Sequence, residues 1–331
     1  MASSDLTQGI QQVKSDAATG PLVHIGLHKT GSSLLQRALF SEPMLGFLQP
    51  THKAELLNNA FVLRDPGESA DPVSMEELYR WHDQANAQRK VLALSHERLS
   101  GYPASGGYDQ LDIASRIREA FPNAKVLVVV REQRSVLLSM YLQSISDGSS
   151  LSLKRFLSPP EPHIRRQPGF RFSFYEYDKL IRHYISLFGR GQVKVLPYEW
   201  LTVCPDKFAQ ELSHFSGAQS LEETSVLDVL NTPMNPSLPL AFQLLRRHAN
   251  LIFRTQLSNF GVINVSSTTL HSMVKKIRGL TTPLHIFDKP LKQRYKTLIR
   301  EKTTGKYAAS NAATSDLIGI DLGELGYDVA S

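Results

Sequence analysis

Residues 21–40, PLVHIGLHKTGSSLLQRALF, constrain the fold of this chain more than any other stretch. Apolar residues first alternate with other residues, at Val23, Ile25 and Leu27, which is the pattern of a strand, and then recur at helical spacing. A turn of glycine, lysine and serine separates the two patterns. A loop that leads into a helix leaves backbone N–H groups unpaired where the helix macrodipole favours negative charge. The stretch therefore predicts a strand, a loop suited to a phosphate or sulfate group, and a helix.

The residues of this loop suggest an anionic ligand. The candidate ligand-binding residues are His28, Lys29, Thr30, Gly31, Ser32 and Ser33. Lys29 brings a full positive charge, and the three hydroxyl side chains are hydrogen-bond donors. Gly26 and Gly31 have the spacing of the two glycines in a nucleoside-triphosphate loop, but Ser32 stands where that motif has Lys. The standard cradle for a triphosphate with Mg²⁺ is therefore absent, while a kinase with a variant loop stays open.

A carboxylate follows the next predicted strand. Residues 91–94 form a short apolar run that ends abruptly in Ser-His-Glu-Arg. Open parallel sheets bind ligands beyond the carboxyl ends of their strands, so Glu97 is the leading candidate for a catalytic residue, with His96 as a second. The residues alone also allow a surface ion pair between Glu97 and Arg98, and a hydrogen-bonded wall position for His96.

An arginine follows a third predicted strand. Residues 126–130 are continuously apolar, which is typical of a strand covered on both faces. Arg131 comes directly after them, and the helix predicted over 133–147 carries Ser139. A guanidinium fork and a hydroxyl can converge on one phosphate group. The residues alone also allow an arginine that neutralises a nearby carboxylate.

Three segments resemble motifs of the sulfotransferases that use 3′-phosphoadenosine 5′-phosphosulfate. HKTGSS resembles their 5′-phosphosulfate loop, and REQRSVLLSMYLQ resembles their 3′-phosphate motif, in which Arg131, Ser139 and Tyr141 match. SHERLS is similar to the segment that carries the catalytic Glu of the carbohydrate-type members, so the resemblance is to bacterial sulfotransferases of that type. Gln133 departs from the family, because many members have Pro after the arginine.

The resemblance implies an enzyme with Glu97 as its general base. This carboxylate would accept the proton of the acceptor as the acceptor attacks sulfur, and His96 and His28 are the alternative bases. The implied acceptor is a hydroxyl or an amine, on a carbohydrate or another small metabolite. The implied reaction needs no metal.

The resemblance also implies that the donor is held at both of its phosphate positions. Lys29, with the loop N–H groups, Ser32 and Ser33, would stabilise the charge that builds on the departing 5′-phosphate. Arg131 and Ser139 would hold the 3′-phosphate.

Composition excludes few functions. The 331-residue chain is 41% hydrophobic and 21% charged, and its net charge of +6 suits an anionic ligand. The basic residues are dispersed and do not indicate nucleic-acid binding. Cys204 is the only cysteine, which excludes an internal disulfide and fits a reducing compartment. No stretch approaches the roughly 18 apolar residues of a membrane span, and residues 1–20 lack the apolar core of a secretory signal, so we expect a cytoplasmic protein.

The remaining patterns complete the prediction of the fold. They indicate helices over 53–62, 74–89, 108–121, 174–188 and 205–215, a strand over 192–196, a loop over 150–171, and a later amphipathic helix capped by Asn235 or Ser237. Tyr198 and Trp200 are interpreted as packing residues.

We predict a P-loop-like three-layer α/β sandwich, with a central parallel sheet and helices on both faces. A tail over 1–20 precedes one domain over 21–331, which has a helical insertion at about 51–90 and a helical C-terminal part at about 237–331. The insertion is either a cover on the edge of the sheet or a solvated helical pair. The competing functions are a small-molecule kinase and a non-catalytic protein of the same fold that binds a nucleotide or an anion.

Overall fold

The strands form one parallel sheet, which confirms the predicted fold class. The computed structural model describes residues 20–42, 45–161, 169–218, 238–254, 262–264 and 282–329. The sheet contains β1 (Leu22–His24), β2 (Phe47–Leu48), β3 (Val91–Ser95), β4 (Lys125–Val130) and β5 (Val193–Pro197). The strand order is β2-β3-β1-β4-β5, and every neighbouring pair is parallel. Outside this sheet, the short strands β6 (Phe253–Arg254) and β7 (Ile263–Asn264) pair with each other.

Helices surround the sheet. They are α1 (Ser32–Leu34, continued by the π-helical turn Leu35–Leu39), α2 (Lys53–Leu57, continued by the π-helical turn Asn58–Val62), α3 (Pro72–Ala87), α4 (Gln110–Ala120), α5 (Gln133–Ser146), α6 (Leu153–Phe156), α7 (Tyr177–Phe188), α8 (Trp200–Val203), α9 (Pro205–Ser216), α10 (Leu240–Ala249), α11 (Asp288–Thr303) and α12 (Ala308–Ile318). Short 3₁₀ turns span Glu97–Ser100, Pro103–Ser105, Phe172–Tyr175, Arg190–Gln192, Thr282–Phe287 and Gly323–Leu325. Among the helices in the described ranges, none is long and apolar enough to cross a membrane.

The sheet is buried on both faces, as the continuous apolar runs predict. Successive side chains of a strand point to opposite faces. In β4, Val126 and Val128 belong to one buried cluster with α4, α5 and α7, whereas Leu127 and Val129 belong to a second cluster with α1 and α9. The two clusters form the apolar interfaces of a three-layer sandwich.

Two caps show how the sequence fixes where helices start. The side chain of Asp71 accepts a hydrogen bond from the backbone N–H of Ser74 at 2.9 Å at the start of α3, where Pro72 takes the first helical position. The side chain of Glu132 accepts from the backbone N–H groups of Arg134 and Ser135 at 2.9 and 2.8 Å at the start of α5. The second cap places α5 directly after the end of β4.

The two helices of the segment predicted as an insertion pack on the core and are not a solvated pair. Leu57 and Phe61 of α2 and Leu78 of α3 are buried in the larger cluster. The Arg116 side chain of α4 donates to the backbone carbonyl of Phe61 at 2.8 Å. Strand β2 is not predicted from the sequence, because two residues are too few to show an alternating pattern.

The other predicted elements are present with small changes in their bounds. The helix predicted from 174 begins at Tyr177, since Phe172–Tyr175 forms a 3₁₀ turn, and the predicted loop over 150–171 contains α6. The tail before residue 20, most of the basic part of that loop, and the candidate caps Asn235 and Ser237 lie outside the described residues. The domain boundaries stay predictions.

Candidate active site

The three strand ends singled out in the sequence meet at one edge of the sheet. His24, the last residue of β1, lies opposite Ser95 of β3 and Leu127 of β4. Because all three strands are parallel, the segments that follow them leave the sheet on the same side. Lys29, Glu97 and Arg131 lie in these segments, so the structure brings the three predicted groups to one region.

The loop after β1 has a backbone that depends on left-handed residues. Lys29 has φ 65° and Gly31 has φ 87°. A Cβ atom at Gly31 would lie 2.9 Å from Leu201 Cδ1 and 3.2 Å from the ring of Tyr198, so a larger residue would have to displace these side chains as well as adopt a left-handed backbone that favours glycine. A lysine in the left-handed region costs on the order of 1 kcal/mol or more, and such strain persists only where surrounding contacts hold it.

The hydroxyl groups of the loop have different surroundings. The Thr30 hydroxyl is buried and donates to the carbonyl oxygen of Leu27 at 2.6 Å, so it stabilises the loop itself. Ser32 is also buried, and Ser33 is exposed. Within the described chain, the backbone N–H groups of residues 31–33 donate to no carbonyl oxygen. They remain available to an anion at the start of α1.

Lys29 is held at both its backbone and its side chain. Arg131 Nη1 donates to the Lys29 carbonyl oxygen at 2.8 Å, and Lys29 Nζ donates to Gln143 Oε1 at 2.6 Å. Arg131 is itself fixed, because its guanidinium carbon lies 4.3 Å from the centre of the Tyr198 ring and its carbonyl accepts from the Tyr177 hydroxyl at 2.6 Å. Among the described residues, Arg131 forms no ion pair with a carboxylate.

The other two residues of the predicted 3′-phosphate motif differ in how deeply they are buried. Ser139 is half-buried on α5, and its hydroxyl makes no hydrogen bond within the described part of the chain. Tyr141 is fully buried, and its hydroxyl donates to the carbonyl of Leu151 at 3.3 Å. Ser139 therefore has a hydroxyl available to a ligand, whereas Tyr141 is a packing residue.

Glu97 begins the 3₁₀ turn after β3 and is half-buried. Burial raises the pKa of its carboxyl group above the ordinary value of 4.5, and the positive charge of Lys29 partly opposes that rise. The surface ion pair with Arg98 does not form, because the Arg98 guanidinium pairs with Asp109 at 2.7 Å. Glu97 is thus a carboxylate close to the lysine and without a salt-bridge partner in the described residues, which suits a general base.

The two histidines near Glu97 are uncharged at neutral pH. Burial, with a contribution from the Arg98 charge, lowers the pKa of His96 to about 4 and that of His28 to about 3. His96 Nδ1 accepts from the backbone N–H of Arg98 at 3.3 Å, which is consistent with a structural role for this side chain. The Nδ1 atom of His28 is buried without a hydrogen-bond partner in the described chain, and the ring lies 5.7 Å from that of Tyr102.

Two contacts at the candidate site are not predicted from the sequence. Gln143 contacts Lys29, although its only signal in the sequence is a place one helical turn after Ser139. Tyr198, interpreted as a packing residue, stacks on Arg131 and borders Gly31. Within the described residues, no group of three or more His, Cys, Asp or Glu side chains could hold a metal ion.

Comparison with solved structures finds a sulfotransferase from Alicyclobacillus acidocaldarius, 23% identical, with 71% of this chain and 95% of that chain covered and a TM-score of 0.48. A sulfotransferase domain of the Synechococcus PCC 7002 olefin synthase is 14% identical over 71% of this chain and 96% of its own length, with a TM-score of 0.39. A sulfotransferase domain of the curacin biosynthetic pathway is 14% identical over 96% of this chain and 100% of its own length, with a TM-score of 0.38.

No protein-family model matches the chain, and no curated protein sequence does. All three solved structures are sulfotransferases by name, the family that the three sequence motifs resemble. Because the sequence identities and TM-scores are low, the proposed activity rests on the residues of the site and not on these structures.

Proposed function

We propose that the chain is a sulfotransferase that moves the sulfuryl group of 3′-phosphoadenosine 5′-phosphosulfate to a hydroxyl or an amine. The observation that carries the proposal is the 2.8 Å hydrogen bond from Arg131 to the Lys29 carbonyl. It joins the segment that resembles a 5′-phosphosulfate loop to the segment that resembles a 3′-phosphate motif. A donor with phosphate groups at both positions fits such a joined site.

The donor would be bound by charge and by the free N–H groups at the start of α1. Lys29 and the N–H groups of residues 31–33 suit the 5′-phosphosulfate, with the exposed Ser33 as a further donor. Arg131 suits the 3′-phosphate, because Tyr198 and the Lys29 carbonyl hold its guanidinium in place. Ser139 adds a hydroxyl that makes no hydrogen bond to the described residues.

In the proposed reaction the acceptor oxygen or nitrogen attacks sulfur, and its proton passes to the Glu97 carboxylate. A bond forms between the acceptor atom and sulfur, and the bond between sulfur and the bridging oxygen breaks. The electron pair of the broken bond stays on the 5′-phosphate, where Lys29 stabilises the added charge. The products are a sulfated acceptor and 3′,5′-diphosphoadenosine. The Glu at position 97 favours a carbohydrate hydroxyl or another small metabolite as acceptor.

A thermal-shift experiment separates this function from the kinase. A ligand that binds only the folded state raises the melting temperature by mass action. We expect 3′,5′-diphosphoadenosine to raise the Tm of the chain more than ATP with Mg²⁺ does at equal concentration. Stabilisation by ATP with Mg²⁺ alone would replace this proposal with the variant kinase.

A transfer assay separates the enzyme from a non-catalytic protein that binds the same nucleotide. The chain is incubated with sulfur-labelled donor and a panel of sugars, phenols and amines. We expect labelled product with at least one acceptor and none with Glu97→Gln. Nucleotide binding without any transfer by the parent chain would favour the binding protein.

A further inference from the structure

Gln143 links Lys29 to the carboxylate of Asp147, the residue that directly follows α5. Its side-chain oxygen accepts from Lys29 Nζ at 2.6 Å, and its side-chain nitrogen donates to Asp147 Oδ1 at 2.7 Å. Asp147 lies four residues after Gln143, so the two side chains project from the same face of the helix end. Lys29 is thereby joined to α5 through Gln143, in addition to the bond that Arg131 makes to its carbonyl.

The two contacts of Gln143 fix which end of its amide faces the lysine. A carboxylate only accepts hydrogen bonds, and an ammonium group only donates them. The amide therefore satisfies both neighbours in a single orientation, with nitrogen toward Asp147 and oxygen toward Lys29. Reversal would place the amide N–H groups against the ammonium and the amide oxygen against the carboxylate.

The charge of the partner matters for a lysine that has to meet an anion. A lysine side chain has about 2 kcal/mol of rotamer entropy to lose when it is fixed, and a partner that holds it in advance reduces that loss on binding. A carboxylate partner would compete with an anionic ligand through a full charge. The Gln143 amide restrains the ammonium while it stays neutral, so it does not itself offset the lysine charge that an incoming phosphate would meet.

We infer that Gln143 is a positioning residue for Lys29, and that Asp147 sets the orientation of the Gln143 amide. This inference rests on the proposed function, because it concerns the lysine that meets the 5′-phosphate of the donor. Gln143 acts through Lys29, so its removal matters only while Lys29 is present.

A double-mutant cycle tests that dependence. Dissociation constants for 3′,5′-diphosphoadenosine are measured by calorimetry for the parent chain, Gln143→Leu, Lys29→Ala and the double variant. We expect Gln143→Leu to weaken binding by about tenfold, as for one hydrogen bond to a charged group. In the Lys29→Ala background the same change should have less than a twofold effect, by about the usual limits of additivity.

Three further variants sharpen the result. Gln143→Glu should weaken binding more than Gln143→Leu, since a carboxylate would pair with Lys29 and repel the ligand. Asp147→Leu should reproduce part of the Gln143→Leu effect, again only when Lys29 is present. Ser144→Ala is the matched control on the same helix, because the Ser144 hydroxyl donates to the carbonyl of Tyr141 and has no link to Lys29; it should bind as the parent does.

The outcomes distinguish this inference from the proposed function. An equal loss from Gln143→Leu with and without Lys29, or an equal loss in Ser144→Ala, would overturn the positioning role and leave the sulfotransferase proposal in place. Failure of the parent chain to bind 3′,5′-diphosphoadenosine would overturn both.

Discussion

The guanidinium of Arg131 donates to the carbonyl oxygen of Lys29 at 2.8 Å, across 102 positions of sequence. The contact offsets part of the strain of Lys29, whose φ of 65° is unusual for a residue with a side chain. It also holds the Arg131 guanidinium against the backbone of the loop that carries Lys29, and these two residues are proposed to meet the 3′- and 5′-phosphates of the donor. A site whose charged groups are fixed before the ligand arrives loses less entropy when it binds.

Arg131→Ala should weaken 3′,5′-diphosphoadenosine by roughly 10- to 100-fold, the range for hydrogen bonds to a charged group. Adenosine 5′-phosphate should lose much less, because it lacks the 3′-phosphate that Arg131 is proposed to read. Arg131→Lys should recover only part of the affinity, since an ammonium lacks the planar fork that stacks on Tyr198. Both ligands are titrated by calorimetry.

The exposed arginine Arg80 on α3 provides a matched control. Arg80→Ala removes the same charge far from the motif in sequence and should leave both affinities unchanged. Equal losses for the two nucleotides in Arg131→Ala would show that Arg131 does not read the 3′-phosphate.

Glu97→Gln should lower turnover by roughly 10²- to 10⁴-fold, the range for loss of a general base, with little change in donor affinity. In the parent chain, burial raises the pKa of Glu97, so the acid limb of kcat/KM should lie above pH 4.5. Glu97 is the base only when ionised, and activity is therefore lost as pH falls through this limb.

The histidines provide the contrast for that profile. The pKa of His96 is lowered to about 4, so this side chain is neutral at pH 7. If His96 were the base, substitution of His96 would abolish activity and Glu97→Gln would not. His96→Asn should keep most of the turnover and the same acid limb, and Glu55→Gln, an exposed carboxylate on α2, should resemble the parent. Near-normal turnover in Glu97→Gln would remove Glu97 from the role of base.

A buried pair of amides ties the segment after Arg131 to the C-terminal part of the chain. Gln133 Nε2 donates to Asn311 Oδ1 at 2.6 Å, and Asn311 Nδ2 donates to Gln133 Oε1 at 3.1 Å. Asn311→Ala should lower the free energy of unfolding by about 1–3 kcal/mol, because it leaves a buried amide without its partner. Urea denaturation measures the loss.

The coupling of this pair can be measured separately. Gln133→Ala combined with Asn311→Ala should cost less than the sum of the two single changes, since each single change leaves the other side-chain amide without its partner amide and the double change leaves neither. Losses that simply add would contradict the direct contact. A proline at position 133 could not make these hydrogen bonds.

The sequence predicts the fold class and the region of the site for one physical reason. Each of Lys29, Glu97 and Arg131 follows an apolar run closely, so local pattern alone places it beyond the end of a strand. The carboxyl ends of parallel strands share one edge, which converts three local predictions into one site.

Contacts between distant polar residues could not be predicted in this way. Lys29 and Gln143 are 114 positions apart, and Gln133 and Asn311 are 178 positions apart. Apolar periodicity shows which face of a helix is buried, but it does not show which polar side chains meet across the fold. Tyr198 illustrates the same limit, because its aromatic ring indicates packing without showing that it packs on Arg131.

His24 makes stability depend on pH. It is fully buried at the end of β1, where Nδ1 lies 2.7 Å from the Ser95 hydroxyl, and burial lowers its pKa from 6.5 to about 3. As pH falls through 6.5, His24 is therefore protonated in the unfolded chain but stays neutral in the folded chain. The contribution of His24 to stability is complete above pH 6.5 and is lost as pH falls toward 3, by at most about 1.4 kcal/mol per pH unit.

His24→Asn should remove this dependence, because an asparagine amide can still bond to Ser95 but does not titrate. The free energy of unfolding is measured in urea at about pH 7, 6 and 5, where the slope reports the difference in bound protons. We expect the variant to have a lower free energy of unfolding at the highest pH, from the smaller side chain, and a slope shallower by up to one proton. His28 and His96 keep their own lowered pKa values, so part of the slope remains. An unchanged slope would show that His24 is protonated in the folded chain and would contradict a neutral imidazole buried at the end of β1.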